Sequence, residues 1–185
     1  MFKEIDKIIV DIKALSSISH SCNPMICSPQ KCCCQSFEVC IDISELKRII
    51  GFMPLAAAFS KSLKCGKYFE NVFDKVDSNL FSIDQKECDL CVFAYYGRRD
   101  EILCSLHTVA NKFGYKPETI KPRVCTLWPL ALTDDKPYYL TVDDDVFSFP
   151  CNTLRKSDDL PFDPGIESII EKAFGVEFLR RFYEY

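Results

Sequence analysis

Ile5, Ile8, Ile9, Ile12 and Leu15 recur at three- and four-residue spacing, with Lys3, Glu4, Asp6, Lys7, Asp11 and Lys13 between them. That is the period of one amphipathic helix, closed by the Ser-rich stretch 16–21. From His20 to Cys40 the period disappears and small, polar, Pro and Cys residues take over, so this loop needs an organiser other than its own apolar residues. Asp42 or Ser44 can cap a helix over Glu45 to Ile50 that Gly51 closes, and Pro54 can open a second through Ala56, Ala57 and Ala58. Aromatic and β-branched residues between Tyr68 and Ile83, divided by Asp77, Ser78 and Asn79, predict two short strands and a turn. Val92 to Tyr96 reads as a further strand.

In the second half, Cys104 to Phe113 has helical character and Gly114 is a suitable stop, followed by a connection constrained by Pro117 and Pro122. Tyr138 to Val142 and Val146 to Phe149 flank the acidic turn Asp143 to Asp145 and predict a hairpin. Asp163 can cap a C-terminal helix, about 163–184, with Pro164 in its first turn. Ile166, Ile169, Ile170, Ala173 and Phe174 share one face of it before Gly175 interrupts. The elements together predict the α+β class: a small mixed domain of short strands, several helices and cysteine-rich loops. No internal repeat or obvious linker divides the chain, so a single domain over 1–185 is expected.

Composition changes this picture at one residue type. Hydrophobic residues at 48% and charged residues at 27% are ordinary for a folded domain, whereas 12 cysteines in 185 residues are many. A chain of this length builds a core without disulfide staples, so the cysteines need another explanation. Lys and Arg number 23 against 27 Asp and Glu, a net charge of −4 with the cations scattered, which argues against a nucleic-acid surface. Charges through Ser17 break any apolar signal segment, and the longest apolar run, near Leu55 to Phe59, falls far short of the ~18 residues a spanning helix needs. A cytoplasmic protein without membrane attachment is therefore expected. In a reducing compartment, clustered cysteines bind metal or do redox chemistry more often than they form disulfides, although a disulfide-stabilised interaction domain is an alternative.

Cys22, Cys27 and the run Cys32-Cys33-Cys34 crowd one loop. Thiolates are soft ligands for Zn²⁺ or iron–sulfur clusters, and four of them satisfy either. Cys88-Asp89-Leu90-Cys91 has the CxxC spacing of zinc knuckles and of thioredoxin-like redox pairs. The strand-like residues after it favour the ligand version, since the redox version needs a helix start. Cys104, Cys125 and Cys151 each stand beside an element end, whereas Cys40 and Cys65 have no chemical context and read as buried structural thiols.

Of the two histidines, His107 reads as a packing or hydrogen-bonding residue, and His20 as solvent-facing or a ligand. Arg98, Arg99, Lys121 and Arg123 could offset the negative charge of metal–thiolate sites, or be ordinary solvated cations. Trp128 would shield Cys125 from water, or simply pack in a core. No phosphate-cradling loop or Gly-x-Ser-x-Gly elbow occurs, and the acidic runs at Asp134-Asp135, Asp143 to Asp145 and Asp158-Asp159 read as turns or solvated faces, so no catalytic residue is assigned.

The order Cys22, Cys27, Cys33-Cys34, an acidic helix around Glu45, Cys91-Val92-Phe93, Cys104-Ser105-Leu106-His107 and Lys121-Pro122-Arg123-Val124-Cys125-Thr126-Leu127-Trp128-Pro129-Leu130 resembles the YkgJ-type cysteine-cluster family over about 20–151. The resemblance implies zinc or iron chelation, with Cys22, Cys27, Cys33, Cys34, Cys91, Cys104, Cys125 and Cys151 as metal ligands. The chain departs from the pattern in the wider spacing of its first cysteines, in carrying Cys32 before the pair, and in having Glu101-Ile102-Leu103 where a glycine usually precedes the Cys104 element. The expected function is a metal-binding protein holding zinc or an iron–sulfur cluster in metal-organised loops. The alternative is an iron–sulfur-dependent protein-modifying enzyme, because flagellin lysine N-methylases carry a similar cysteine cluster.

Overall fold

A hairpin stands where the amino-terminal period predicts a helix. In a computed structural model of the chain, Phe2–Ile5 (β1) and Ile8–Asp11 (β2) pair antiparallel, with Asp6 and Lys7 at φ 51° and 66° making the turn. Helix begins only at Ile12–Ser16 (α1), where the Asp11 carboxylate accepts from the Ala14 N–H at 3.1 Å. The apolar spacing has two solutions: Ile5 and Val10 are buried from the hairpin, Ile12 and Leu15 from the helix. The β-branched run Ile8-Ile9-Val10 favours extended backbone, and β2 finds a parallel partner late in the chain, at residues 138–140, which no local period encodes. Ile18–His20 (β3) follows inside the Ser-rich stretch. The structure describes residues 1–27, 31–86, 89–155 and 161–184, in two compact units: Met1–Asn23 with Thr126–Tyr185, and Pro24–Cys125.

The Pro24–Cys125 unit opens with the one-turn helix Cys33–Ser36 (α2) and Val39–Asp42 (β4). Asp42 is the expected cap, accepting from the Ser44 and Glu45 N–H groups at 2.7 and 2.8 Å. The helix it starts, Ile43–Ala56 (α3), runs through both Gly51 and Pro54 instead of breaking into two. Leu46, Ile49, Met53 and Ala56 form one buried face, and that burial outweighs the hydrogen bond forfeited at a proline in the last turn.

Lys64–Cys65 (β5) and Tyr68–Phe69 (β6) form an exposed hairpin. Phe73–Lys75 (β7) and Leu80–Ile83 (β8) are the two predicted strands, and Asp77 shapes their turn by accepting from the Asn79 and Leu80 N–H groups. β8 also pairs with β4, giving the order β4-β8-β7. Ala94–Tyr96 (β9) and Ile102–Cys104 (β10) pair antiparallel, and Ser105–Phe113 (α4) ends at Gly114, whose φ of 74° suits a helix stop. The short helix Arg123–Leu127 (α5) carries Cys125. Ile41, Ile49, Leu63, Phe93, Leu106 and Ile120 are central to this unit's main core.

Back in the first unit, Leu130–Leu132 (β11) and Tyr138–Val142 (β12) pair antiparallel, and β12 lies parallel to β2, completing the order β1-β2-β12-β11. The hairpin expected across Asp143 to Asp145 does not form. Both edges of β12 are taken by β11 and β2, so no ladder remains for residues 146–149; Val146–Ser148 is a 3₁₀ turn with Val146 buried. Asn152–Leu154 (β13) pairs with β3.

The expected C-terminal helix is two, Pro164–Phe174 (α6) and Val176–Tyr183 (α7), because Gly175 takes φ 92° between them. Asp163 caps α6 through the Gly165 N–H at 2.9 Å and also accepts from the His20 N–H at 3.2 Å. Leu15, Ile18, Leu140, Ile166, Ile170 and Phe182 lie in this core, and Trp128 packs against it, its ring 4.8 Å from that of Phe149 in an edge-on contact. Among the described residues there are seven α-helices and thirteen short strands, so the chain is α+β.

Candidate metal centre

Cys32 has extended backbone, φ −128° and ψ 130°, and the chain turns helical at Cys33. This change of backbone lets three consecutive side chains converge. Their sulfurs lie within 4.8 Å of one another, and among the described residues no other group of three Cys, His, Asp or Glu side chains is as close. The Gln35 and Ser36 N–H groups and the Ser36 hydroxyl all donate to the Cys32 carbonyl, at 2.9, 3.1 and 3.1 Å, which fixes the bend. Three thiolates so placed could hold a metal ion. Cys32, which the ligand set implied by the resemblance omits, is the most buried of the three.

Three more cysteines arrive from separate elements. The Cys91 N–H donates to the Cys34 carbonyl at 2.8 Å, and the Ala94 N–H to the Cys91 carbonyl at 2.8 Å, so the chain turns at Cys91 directly into β9. Register then sets Cys104 opposite Ala94, and the Ser105 N–H donates to the Phe93 carbonyl at 2.7 Å. Cys125 is held through α3. Glu45 Oε1 accepts from the Arg123 N–H at 2.7 Å and from Arg48 Nη2 at 3.2 Å, while Arg48 Nη2 also donates to the Lys121 carbonyl at 3.1 Å.

The triplet has an uneven charge. Hydrogen bonds from Cys32 and then Cys34 hold Cys33 down to about 3, with Lys121 assisting and burial opposing. Cys32 rises to about 12, chiefly through its bond to Cys33, and Cys34 is raised by its bonds with Cys32 and Cys33 together with burial. Within the triplet Cys33 is therefore the sulfur that gives up its proton most readily, its charge stabilised by the neighbouring S–H groups. Burial pushes Cys91 up to about 12, with Cys104 adding to the shift. Burial also raises Cys125, which Lys121 resists and Cys91, Cys104 and Cys33 reinforce.

Burial works against the Lys121 ammonium, but Cys104, Cys125, Cys34 and Cys33 outweigh it and hold Lys121 above the usual lysine range. Four cysteines, 33, 34, 104 and 125, therefore share one electrostatic neighbourhood with Lys121, while Cys91 acts on Cys125 and faces Lys86. Arg98, Arg99 and Arg123 are exposed, whereas Lys121 is partly buried.

Cys27 packs, with Cys34 and Cys91, against a small buried cluster of Cys32, Leu90, Ala94 and Ile102. Cys22 and Cys151 belong to the first unit, at the end of the β3–β13 pair, where the Ser21 N–H donates to the Cys151 carbonyl at 2.9 Å. His20 sits in the same pair, its Nδ1 2.6 Å from Asn152 Oδ1. An amide oxygen only accepts, so Nδ1 is the donor. His107 is exposed on α4, and Cys88 lies outside the described residues.

Cys40 and Cys65 correct the expectation of buried thiols, for both are exposed. Strand alternation turns Val39 and Ile41 inward and Cys40 outward, and Cys65 lies on the exposed β5–β6 hairpin.

Fold and site together define an α+β protein with a cysteine cluster able to hold a metal ion. Among the described residues, no helix is long and apolar enough to cross a membrane. No family model, curated protein or solved structure matches the chain.

Proposed function

We propose that the chain is a metal-binding protein whose Pro24–Cys125 unit holds zinc or an iron–sulfur cluster through cysteine thiolates. The observation that carries this reading is the convergence of Cys32, Cys33 and Cys34 to within 4.8 Å, with Cys91, Cys104 and Cys125 in the surrounding electrostatic field. The donor set fits either group: all sulfur, more than the four ligands required, and contributed by a loop, a hairpin and a helix that a shared ion would tie together.

Cys33, Cys34, Cys91, Cys104 and Cys125 are the ligands on this reading, in keeping with the resemblance to the YkgJ-type family, and Cys32 joins them on geometry alone. Cys27 is a further candidate through its packing beside Cys32. Metal binding displaces the protons that burial holds on Cys91 and Cys125, so loading strengthens as pH rises toward the thiol range. Elemental analysis of anaerobically purified protein tests the reading. Zinc without colour selects the ion, iron with visible absorbance selects the cluster, and protein free of both with every thiol titratable overturns it.

A further inference from the structure

Four thiolates on Zn²⁺, or on a doubly positive cluster, leave about two surplus negative charges that a partly buried site must offset. Exposed cations do this poorly, because solvent and salt screen them. Arg98, Arg99 and Arg123 are exposed in this way. Lys121 is different in position and in support. Its N–H donates to the Pro117 carbonyl at 2.8 Å and its own carbonyl accepts from Arg48 at 3.1 Å, so the backbone is fixed on both sides of the residue. The side chain runs toward α5, with Nζ 3.4 Å from the Cys125 carbonyl. An ammonium has three donors, and that carbonyl uses one of them. Cys33, Cys34, Cys104 and Cys125 all act on this one ammonium group.

We propose that Lys121 is a built-in counter-cation of the centre, fixed by the Glu45–Arg48 pair, and that its charge strengthens metal retention by offsetting the surplus negative charge of the metal–thiolate complex. The inference rests on reading these cysteines as ligands. It makes Lys121 a positioning residue defined by charge, and Glu45 and Arg48 the groups that set its place.

The test compares the full-length wild type with Lys121→Met, Lys121→Gln, Lys121→Arg and, as an exposed-cation control, Arg98→Met. Zinc affinity is read by competition with a chromophoric chelator at low and high salt. Loss of the charge weakens zinc binding about ten-fold or more in Lys121→Met, Lys121→Arg stays within about three-fold of wild type, and Arg98→Met matches it. Lys121→Gln keeps an N–H for the Cys125 carbonyl without the charge, so it falls with Lys121→Met and carries the comparison if that variant fails to fold.

If the protein purifies with iron and sulfide, the charge-free variants have a lower midpoint potential than wild type and Lys121→Arg restores it. Wild type that takes up neither metal overturns the ligand reading and this inference with it. Wild type that binds, with folded Lys121→Met or Lys121→Gln equal to it in affinity, overturns the inference alone.

Discussion

Cys33 accepts hydrogen bonds from the sulfurs on either side of it, and that arrangement separates it from the two cysteines that flank it. Cys33→Ser is expected to lose the metal and, with it, stability on the order of several kcal/mol. Cys65→Ser, on the exposed hairpin, should leave both metal content and denaturation midpoint at the wild-type level. Elemental analysis and denaturant midpoints on the two variants check this, and equal behaviour would sink the division into ligands and bystanders. Cys32→Ser separates two grounds for choosing ligands: if geometry decides, it loses metal as Cys33→Ser does; if the family pattern decides, it retains it. The crowding of thiols near residues 22–34 and at 91, 104 and 125 was legible because residue type and order suffice for it. The part played by Cys32 was not, since it depends on a switch from extended to helical backbone. Lys121 could not be told from its arginine neighbours for a related reason, because burial belongs to the folded chain. Cys40 misled in the opposite direction, where the usual burial of cysteine yielded to the inward turn of Val39 and Ile41.

At the scale of elements, capping residues and glycines decide the clearest outcomes. The Ser44 hydroxyl and then the Glu45 N–H hold the Asp42 carboxyl below its ordinary value of 3.8. The stabilisation this gives α3 is fully present above that value and is lost as pH falls through the lower value of the folded state. Asp42→Ala should therefore cost about 1 kcal/mol at neutral pH, and its denaturation midpoint should approach that of wild type in acid. Gly165 sits where α6 begins against β3, and a Cβ there would lie 2.0 Å from the His20 carbonyl oxygen. Gly165→Ala should destabilise by about 1–3 kcal/mol, whereas Gly51→Ala, with nothing within 4 Å of its added carbon, should stabilise α3 by about 0.5–1 kcal/mol. Thermal melts of both variants check the contrast. Local signals were enough for α4 with Gly114 and for α6 with Asp163, Pro164 and Gly175. They failed at the amino-terminal hairpin and at residues 146–149, where partners distant in sequence decide the backbone.

Over the whole molecule, Cys91, Cys104 and Cys125 pack against one apolar core and the terminal helices form another. The chain leaves the first unit at Asn23, close to where the apolar period is lost after His20, and re-enters it at Thr126, where no change of composition marks the crossing, so the division was not legible in the sequence as a whole. Removing metal with a chelator is expected to raise hydrogen exchange at residues 32–36, 91–104 and 121–125 while α6 and α7 stay protected around Ile166, Ile170, Phe178 and Phe182. Equal loss of protection in both regions would contradict this. The pairing of Ile8 with Tyr138 also sets an order of events in synthesis. On the ribosome, β2 emerges long before β12, and the segment carrying every cysteine except Cys151 is made in between, so the sheet closes only after that segment is complete. Until then the first hairpin waits with an open strand edge. The charges of Lys3, Glu4, Asp6, Lys7 and Asp11 on that hairpin guard the nascent chain against pairing with its neighbours during the wait.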